Sequence, residues 1–435
     1  MDTELINRII VQDFGSFHDH TVPVDEEKDP LTGQLFALKG QKWRNLRIKL
    51  SPAFTSGKLK MMFPIIRSCV DVLTEYIDKN IKNGQSVFSS KDLFLRSNTN
   101  VISSIAFGID NDCINDPNNQ FYINGKNFFV PTLRNSIRQL VFMFIPSLAS
   151  PLNIKFAPKD VDTFFRNSVK EIVDYREKTN YRRNDFMDLL LQLKNQGFLP
   201  ADNELEEGEK QVEYDEKTKL IKLNLNEVAA QAFVFFLGSF ETLSSTINFL
   251  LIELARNKNI QKKVQEEIDQ VFSTQGVSYD SVKNLKYLEC CLNESLRKYP
   301  AVPLITRECT KDYKIPGTDL IITKGTDISL PVFSIQHDPE IFDKPSEFIP
   351  ERFLDSPTGN SAANGLCYFP FGDGPRHCIG MRMARVNVKT TISALLSKFT
   401  VDLVDEKHIK KELEFDRKMF PLTPADDIKI KITPR

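Results

Sequence analysis

The residue best suited to chemistry is Cys378, in the stretch "YFPFGDGPRHCIGMRMA" at residues 368–384. Gly372, Gly374 and Pro375 precede it, and these residue types form tight turns. A loop rich in glycine lets the backbone approach another group closely. The stretch therefore predicts a tight loop that holds Cys378 close to another chemical group, which is either a bound ligand or another part of the chain.

A helix is predicted directly after this loop, because apolar residues recur with helical spacing over residues 381–399. Cys378 then lies at or just before a helix N-terminus. Unpaired amides and the positive end of the helix dipole favour a thiolate there, and Arg376 adds positive charge nearby. An anionic sulfur in a dry loop predicts a metal ligand.

The choice of metal follows from the scarcity of other ligands. Zinc and iron–sulfur sites collect several Cys or His side chains at close spacing. Here the histidines are scattered, His377 is interpreted as a loop residue, and no CxxC occurs among the cysteines, which are Cys69, Cys113, Cys290, Cys291, Cys309, Cys367 and Cys378. A single thiolate suits an iron whose other ligands come from a porphyrin. The alternative is a buried free cysteine that acts as a small apolar residue.

The loop resembles a known family signature. Phe371, Gly374, Cys378 and Gly380 fill the pattern FxxGxxxCxG, which is similar to the haem-binding signature of the cytochrome P-450 superfamily of haem-thiolate monooxygenases. The resemblance implies a mainly α fold: a single large helical domain over residues 1–435 with a small β-rich subdomain. It also implies that haem b is the cofactor and that Cys378 ligates its iron.

Other motifs of that family occur in the expected order. "NESLRKYP" contains Glu294 and Arg297, and "FIPERF" contains Arg352. Alone, the first two would be a surface helix pair. The resemblance implies instead a buried Glu–Arg–Arg lock that braces the cysteine loop.

A second group of cations is expected to bind the haem propionates. Trp43 and Arg47 lie one helical turn apart in "WRNLRIKLSPAF" and therefore face the same way. The resemblance assigns both to a propionate, and Arg307 and Arg376 as further partners. Guanidinium groups suit carboxylates because they donate two parallel hydrogen bonds.

The most apolar helix predicted covers residues 226–257, where Glu241 is the only charged residue between Glu227 and Glu253. A transmembrane span is one interpretation, and a helix crossing the core of a large protein is the other. The resemblance implies the long distal helix of the family, with Glu241 and Thr242 as its acid–alcohol pair for proton relay. The family commonly has glycine where this chain has Ser239, whose hydroxyl is expected to bond back to the carbonyl of Phe235.

Length and composition agree with a large enzyme that binds no nucleic acid. The 435 residues include 57 Lys and Arg against 58 Asp and Glu, so there is no basic excess. Seven dispersed cysteines do not suggest a disulfide framework and favour a reducing compartment. Residues 201–218 are polar and acidic and predict a solvated loop.

The N-terminal residues depart from the family pattern. "MDTELINRIIVQDFGSFHDH" contains no long apolar segment. We therefore expect a form that lacks the N-terminal anchor, the hinge and the first β-hairpin. Other sequence segments, such as "AQAFVFFL", most resemble the insect microsomal members associated with detoxification. This implies the cytosolic face of the endoplasmic reticulum membrane, with peripheral membrane contact.

The expected reaction is monooxygenation of a lipophilic substrate, such as a xenobiotic, a plant toxin, an insecticide, or an endogenous lipid or hormone. O2 is the co-substrate. The resemblance implies that electrons come from NADPH through a flavoprotein reductase, with cytochrome b5 as a second partner. The chain itself has no GxGxxG fingerprint for binding a dinucleotide. The basic residues expected at the docking face are Arg44, Lys49, Lys58, Lys60, Arg382 and Lys389.

Apolar segments predict the substrate pocket and leave two rival functions open. The segments are the stretch before Trp43, residues 139–152, 233–242 and 301–306, and the tail "KMFPLTP". One rival is a haem-thiolate isomerase or dehydratase, which would not need the acid–alcohol pair. The other is a truncated, non-catalytic haem-binding chain.

Overall fold

The computed structural model of this chain describes residues 2–200, 218, 220–354 and 367–435. Helices predominate in these residues, and the strands form small antiparallel sheets, so the predicted mainly α fold is confirmed. The acidic stretch predicted to be a solvated loop lies, apart from Thr218, outside the described residues. The helices are α1 Thr3–Asn7, α2 Gly40–Leu50, α3 Ser56–Lys82, α4 Ser90–Phe107, α5 Gln120–Phe129, α6 Leu133–Phe144, α7 Lys159–Thr179, α8 Phe186–Asn195, α9 Leu225–Arg256, α10 Lys258–Gln275, α11 Tyr279–Lys283, α12 Lys286–Lys298, α13 Val332–Gln336, α14 Met381–Lys398 and α15 Glu406–Lys410.

Helix α9 is the central element, and its start is encoded locally. The side chain of Asn224 accepts the amide of Glu227 at 3.0 Å, while the Glu227 carboxylate accepts the amide of Asn224 at 2.8 Å. This capping box satisfies two amides that a helix N-terminus leaves unpaired. The helix is long and apolar enough to cross a membrane, but 83% of its most apolar window is buried inside the protein. The structure therefore favours the core helix over the transmembrane span.

Aromatic packing builds the core on one side of α9. The rings of Phe233 and Phe236 lie 4.9 Å and 4.8 Å from the ring of Phe165 on α7, and all three side chains are fully buried. Each buried phenylalanine contributes on the order of 1.5–3 kcal/mol to stability. A second core on the other side packs Leu250 of α9 and Leu292 of α12 with Ile392 of α14. Helix α9 thus links the two halves of the core.

The described strands form two two-stranded sheets and one three-stranded sheet. The strands are β1 Val87–Ser89, β2 Ile305–Glu308, β3 Tyr313–Lys314, β4 Ile321–Ile322, β5 Asp327–Leu330, β6 Phe399–Leu403 and β7 Lys429–Pro434. In the larger sheet β7 lies between β1 and β6, and β2 pairs with β5 and β3 with β4, all antiparallel. Two turns between residues 313 and 330 contain Gly317 and Gly325, which have φ of +74° and +86°. Asp19 bridges to Glu308 and so attaches the N-terminal segment to β2.

Candidate active site

The candidate site is a cavity of about 370 Å³ bounded by helices α2, α9, α12 and α14. Trp43 of α2, Thr242 of α9, Leu292 of α12 and Met383 of α14 line it, together with Cys378 from the loop before α14. Cys378 and Thr242 are predicted from the sequence to serve different steps of the chemistry. The fold brings them to one cavity.

The cysteine loop is a tight turn held by its own backbone. The amide of Cys378 donates to the carbonyl of Phe371 at 2.8 Å, and the amide of Gly372 donates to that of Phe369 at 2.9 Å. Gly374 has φ of +65°, and a Cβ atom there would lie 2.0 Å from the carbonyl oxygen of Ile10. Only glycine allows this contact. The loop is therefore pressed against the N-terminal segment, and α14 begins three residues after Cys378, as predicted.

The thiol of Cys378 is exposed to the cavity, while the surrounding protein atoms still desolvate it. Desolvation raises its pKa, and the amide of Gly380 and the charge of Arg47 oppose this rise without cancelling it. The prediction that the loop alone favours a thiolate is therefore wrong. The predicted influence of Arg376 is also wrong, because Arg47 is the cation that acts on this thiol. A coordinated metal deprotonates a thiol outright, so ligation itself would supply the anionic sulfur.

Cys378 differs from the other cysteines. Cys290 and Cys291 are buried, and burial raises the pKa of both, which makes them inert packing residues. Among the described residues, no group of three or more His, Cys, Asp and Glu side chains could hold a metal. Any metal at Cys378 must bring most of its own ligands.

Two arginines at the cavity form no ion pair with any carboxylate of the described residues. Arg47 donates to the carbonyl of His377 at 2.9 Å, and its other amine lies 3.2 Å from the His377 ring. Arg307 donates to the carbonyl of Thr306 at 2.9 Å, and its Nε is buried with no hydrogen-bond partner. Within the described ranges neither guanidinium has an ion-pair partner. Burial lowers the pKa of Arg307 to about 10, so it still carries its charge at neutral pH.

Arg376 is placed differently from these two. It donates to the carbonyl of His18 at 2.7 Å and to that of Leu38 at 2.8 Å, and it lies 3.3 Å from the carboxylate of Asp19. Its guanidinium carbon lies 3.9 Å from the centre of the Trp43 ring. Burial lowers its pKa to about 9. Arg376 lines the cavity, but its main contacts fix residues 18–38 to the cysteine loop.

The predicted Glu–Arg–Arg group meets in the core. The Glu294 carboxylate accepts two hydrogen bonds from Arg297, at 2.8 and 2.9 Å, and one from Arg352 at 3.3 Å. Glu294 and Arg297 are fully buried, so they are not a surface pair. Arg297 also donates to the carbonyl of Gln336, whose side chain accepts the amide of Phe369 at 3.4 Å. This chain of contacts runs from α12 to the start of the cysteine loop.

Comparisons with known proteins agree with this geometry. The family model described as Cytochrome P450 matches residues 1–431. Cytochrome P450 6A1 of Musca domestica is 36% identical over 438 residues, which cover 99% of this chain and 82% of that protein. Probable cytochrome P450 6a14 of Drosophila melanogaster is 37% identical over 99% of this chain and 83% of its own length. Probable cytochrome P450 6d5 of the same fly is also 37% identical, over 99% of this chain and 84% of its own length.

The chain belongs to the cytochrome P450 family. It is therefore an oxidoreductase of the haem-thiolate monooxygenase class, and the family implies a haem, O2, a redox partner and a small-molecule substrate.

The residues present fit a haem. Its iron needs one protein thiolate, and Cys378 offers its sulfur to the cavity. Its two propionates need cations. The Nε of Arg307 has no hydrogen-bond partner, and Arg47 donates to a backbone carbonyl instead of a carboxylate, so both guanidinium groups can still bind an anion. Its apolar faces need apolar walls, which Met383, Val388 and Leu292 supply.

The distal helix of this P450 presents only one member of the predicted acid–alcohol pair. The hydroxyl of Thr242 donates to the carbonyl of Gly238, and both residues line the cavity. Glu241 does not line it, and its carboxylate is buried 3.4 Å from the ammonium group of Lys91 on α4. The Ser239 hydroxyl donates to the carbonyl of Phe235 at 2.9 Å, as expected from the sequence.

The predicted pocket segments are partly right. The stretch before Trp43 and the segments at 233–242 and 301–306 contribute lining residues. None of the described residues of 139–152 or of the tail "KMFPLTP" lines the cavity. The sequence analysis also missed Phe54, Phe186 and His20, which do line it. Asp19, the partner of Arg376, carried no signal either, because both lie in loops far apart in the chain.

The predicted docking face is wrong at two positions. Lys49 is buried and donates to the carbonyls of Gly197 and Thr218, and Lys389 is buried against Glu289 at 3.0 Å. Both ammonium groups therefore stabilise the interior rather than a surface. Arg44, Lys60 and Arg382 are exposed, and Lys58 is half-buried.

Replacing Cys378 with alanine tests the ligand. We expect Cys378→Ala to abolish the thiolate absorption band of the carbon monoxide complex, because no other described cysteine lines the cavity. The measurement is a difference spectrum of purified protein. Cys290→Ala is the matched control and should keep the band. An unchanged band in Cys378→Ala would contradict the assignment.

Removing the carboxylate of Glu294 tests the buried lock. Glu294→Ala leaves Arg297 charged and buried, so we expect the free energy of unfolding in urea to fall by about 3–5 kcal/mol. The control is Asp78→Ala, which removes an exposed partner of Lys82 at 2.6 Å and should cost less than about 1 kcal/mol. Equal losses in the two variants would show that Glu294 has no special role.

Proposed function

We propose that this P450 inserts one oxygen atom from O2 into lipophilic small molecules, using electrons from NADPH that arrive through a flavoprotein reductase. The supporting observation is that Cys378 and Thr242 line one cavity whose remaining walls are mainly apolar. Leu50, Phe54 and Phe235 are examples of these walls. Such a cavity favours xenobiotics, plant toxins, insecticides, or endogenous lipids and hormones over charged metabolites.

Different site residues would bind different parts of the haem. Cys378 would ligate the iron of haem b, and Arg47 and Arg307 would pair with propionates. Arg376 would add its Nη1, whose bonds to the carbonyls of Leu35 and Phe36 are long at 3.3 and 3.4 Å. When bound, the haem supplies dioxygen binding and electron transfer.

Three further residues would shape the haem pocket. Trp43 lies against Arg376 and closes the wall beside it. Phe371 lies under the guanidinium of Arg385 at 5.4 Å. A Cβ at Gly380 would lie 4.0 Å from the Cys378 sulfur, so glycine keeps that side of the sulfur open.

The chain would supply protons from the side of α9. Thr242 exposes its hydroxyl to the cavity and can hold a water molecule or pass on a proton there. We assign Glu241 an indirect role, because it lies on the α4 side and pairs with Lys91, whose side chain is 34% exposed. That pair would connect the buried helix to solvent.

Partner and location follow the same proposal. The reductase, and cytochrome b5 as a second donor, would dock on exposed cations such as Arg44, Lys60 and Arg382. We place the enzyme on the cytosolic face of the endoplasmic reticulum membrane as one domain over residues 1–435. Leu133, Ile137 and Leu140 follow helical spacing on α6 and are 80%, 51% and 52% exposed, which suits peripheral membrane contact.

Product formation measured with and without NADPH and reductase tests this function. An isomerase or dehydratase would turn over without NADPH, and a non-catalytic chain would give no product although it binds haem. We expect strict dependence on NADPH, reductase and O2. The Thr242 hydroxyl at the cavity favours this outcome over the isomerase.

Thr242→Ala tests the proton-handling hydroxyl. We expect haem content and substrate binding to persist while hydrogen peroxide released per NADPH rises severalfold, because protons no longer arrive at the cavity in time. The loss of general acid assistance is typically worth a factor of 10²–10⁴ in rate. The measurement compares NADPH consumed with product and peroxide formed.

Thr242→Ser is the matched control. It restores a hydroxyl and should return the ratio of product to NADPH towards that of the parent. If Thr242→Ala keeps the parent ratio, the hydroxyl only bonds to the helix.

A further inference from the structure

A buried carboxamide on α4 holds the segment of α9 that lines the cavity. Asn98 is 2% exposed. Its amide group donates to the carbonyl of Ser239 at 2.8 Å and to that of Phe240 at 3.3 Å. These carbonyls lie between Gly238 and Thr242, which both line the cavity.

The same carboxamide is bound from the other side by α14. The amide group of Asn387, also 2% exposed, donates to the side-chain oxygen of Asn98 at 3.3 Å. Asn387 is in turn held by Thr391, whose hydroxyl reaches its backbone carbonyl at 3.0 Å. A continuous polar path therefore joins α9 to the helix that follows Cys378.

The α9 segment needs an outside support because its own hydroxyls compete for its carbonyls. Ser239 donates to Phe235, Thr242 to Gly238 and Ser244 to Phe240. Serine and threonine side chains that bond back in this way destabilise and bend helices. Asn98 is a donor to this stretch that comes from another helix, and it therefore fixes where the stretch lies.

We propose that Asn98 and Asn387 are positioning residues that tie the Ser239–Thr242 turn of α9 to α14 and thereby set the Thr242 hydroxyl relative to the Cys378 sulfur. Neither side chain touches the cavity. Both act through the backbone of α9, with buried hydrogen bonds that are costly to leave unmade. The inference rests on the proposed function, since it assigns a purpose to the distance between Thr242 and Cys378.

The test compares parent, Asn98→Leu, Asn387→Leu and the double variant as haem-loaded enzymes. Hydrogen–deuterium exchange of peptides covering 238–246 reports the support directly, independently of turnover. We expect Asn387→Leu to exchange roughly five- to tenfold faster there, the factor for one lost buried hydrogen bond, and Asn98→Leu, which removes two hydrogen bonds to α9 and one from Asn387, to exchange faster still. The double variant should be no faster than Asn98→Leu, because both residues act along one path.

A second readout follows peroxide released per NADPH. Asn98→Leu and Asn387→Leu should both raise it at least twofold while the carbon monoxide band keeps its position. Ser244→Ala is the matched control: it removes a hydrogen bond to the same Phe240 carbonyl and a long one of 3.5 Å to the carbonyl of Phe94 on α4, without contacting α14, and it should leave the peroxide share unchanged.

The outcomes distinguish failure of this positioning role from failure of the proposed monooxygenase function. If Asn98→Leu does not fold, Asn387→Leu alone decides, because it leaves the contacts of Asn98 to α9 in place. Unchanged exchange and peroxide in Asn387→Leu, or an equal peroxide rise in Ser244→Ala, would overturn the inference while the parent remains a monooxygenase. A parent without a thiolate band would instead overturn the proposed function and leave the exchange result standing.

Discussion

Buried guanidinium groups are the constraint on which the rest of this structure depends. A buried cation must find hydrogen-bond acceptors or it destabilises the fold. Arg297 finds them in Glu294 and in the carbonyl of Gln336, and Arg376 finds them in Asp19 and in carbonyls of residues 18–38. Each arginine therefore ties a distant segment to the cysteine loop, from two different directions.

The cations that remain incompletely satisfied mark the binding site. Arg47 and Arg307 reach only backbone carbonyls and histidine rings, and the buried Nε of Arg307 has no partner. Retaining such charges costs stability unless a ligand brings anions. The same residue type thus has two uses here, and the presence or absence of a carboxylate distinguishes them. This distinction is visible only once the fold has placed Asp19 and Glu294.

Sequence reasoning went furthest where local patterns decide the outcome. The glycine loop and the start of α14 follow from residue type alone. It failed where long-range packing decides whether a residue is buried. Lysine is typical of protein surfaces, but Lys49 and Lys389 lie in the interior. The direction of the Cys378 pKa shift was also missed, because desolvation by burial outweighs the opposing effects of the Gly380 amide and the Arg47 charge.

Helical geometry directs the adjacent acid and alcohol of α9 to different sides of the helix. Successive residues of an α-helix point about 100° apart, so Thr242 at the cavity directs Glu241 towards α4. The Glu241 carboxylate indeed meets Lys91 on that side. Asn98 comes from the same helix α4 and donates to the carbonyls of Ser239 and Phe240. Helix α4 therefore supports α9 through Asn98 and also pairs with its acid through Lys91.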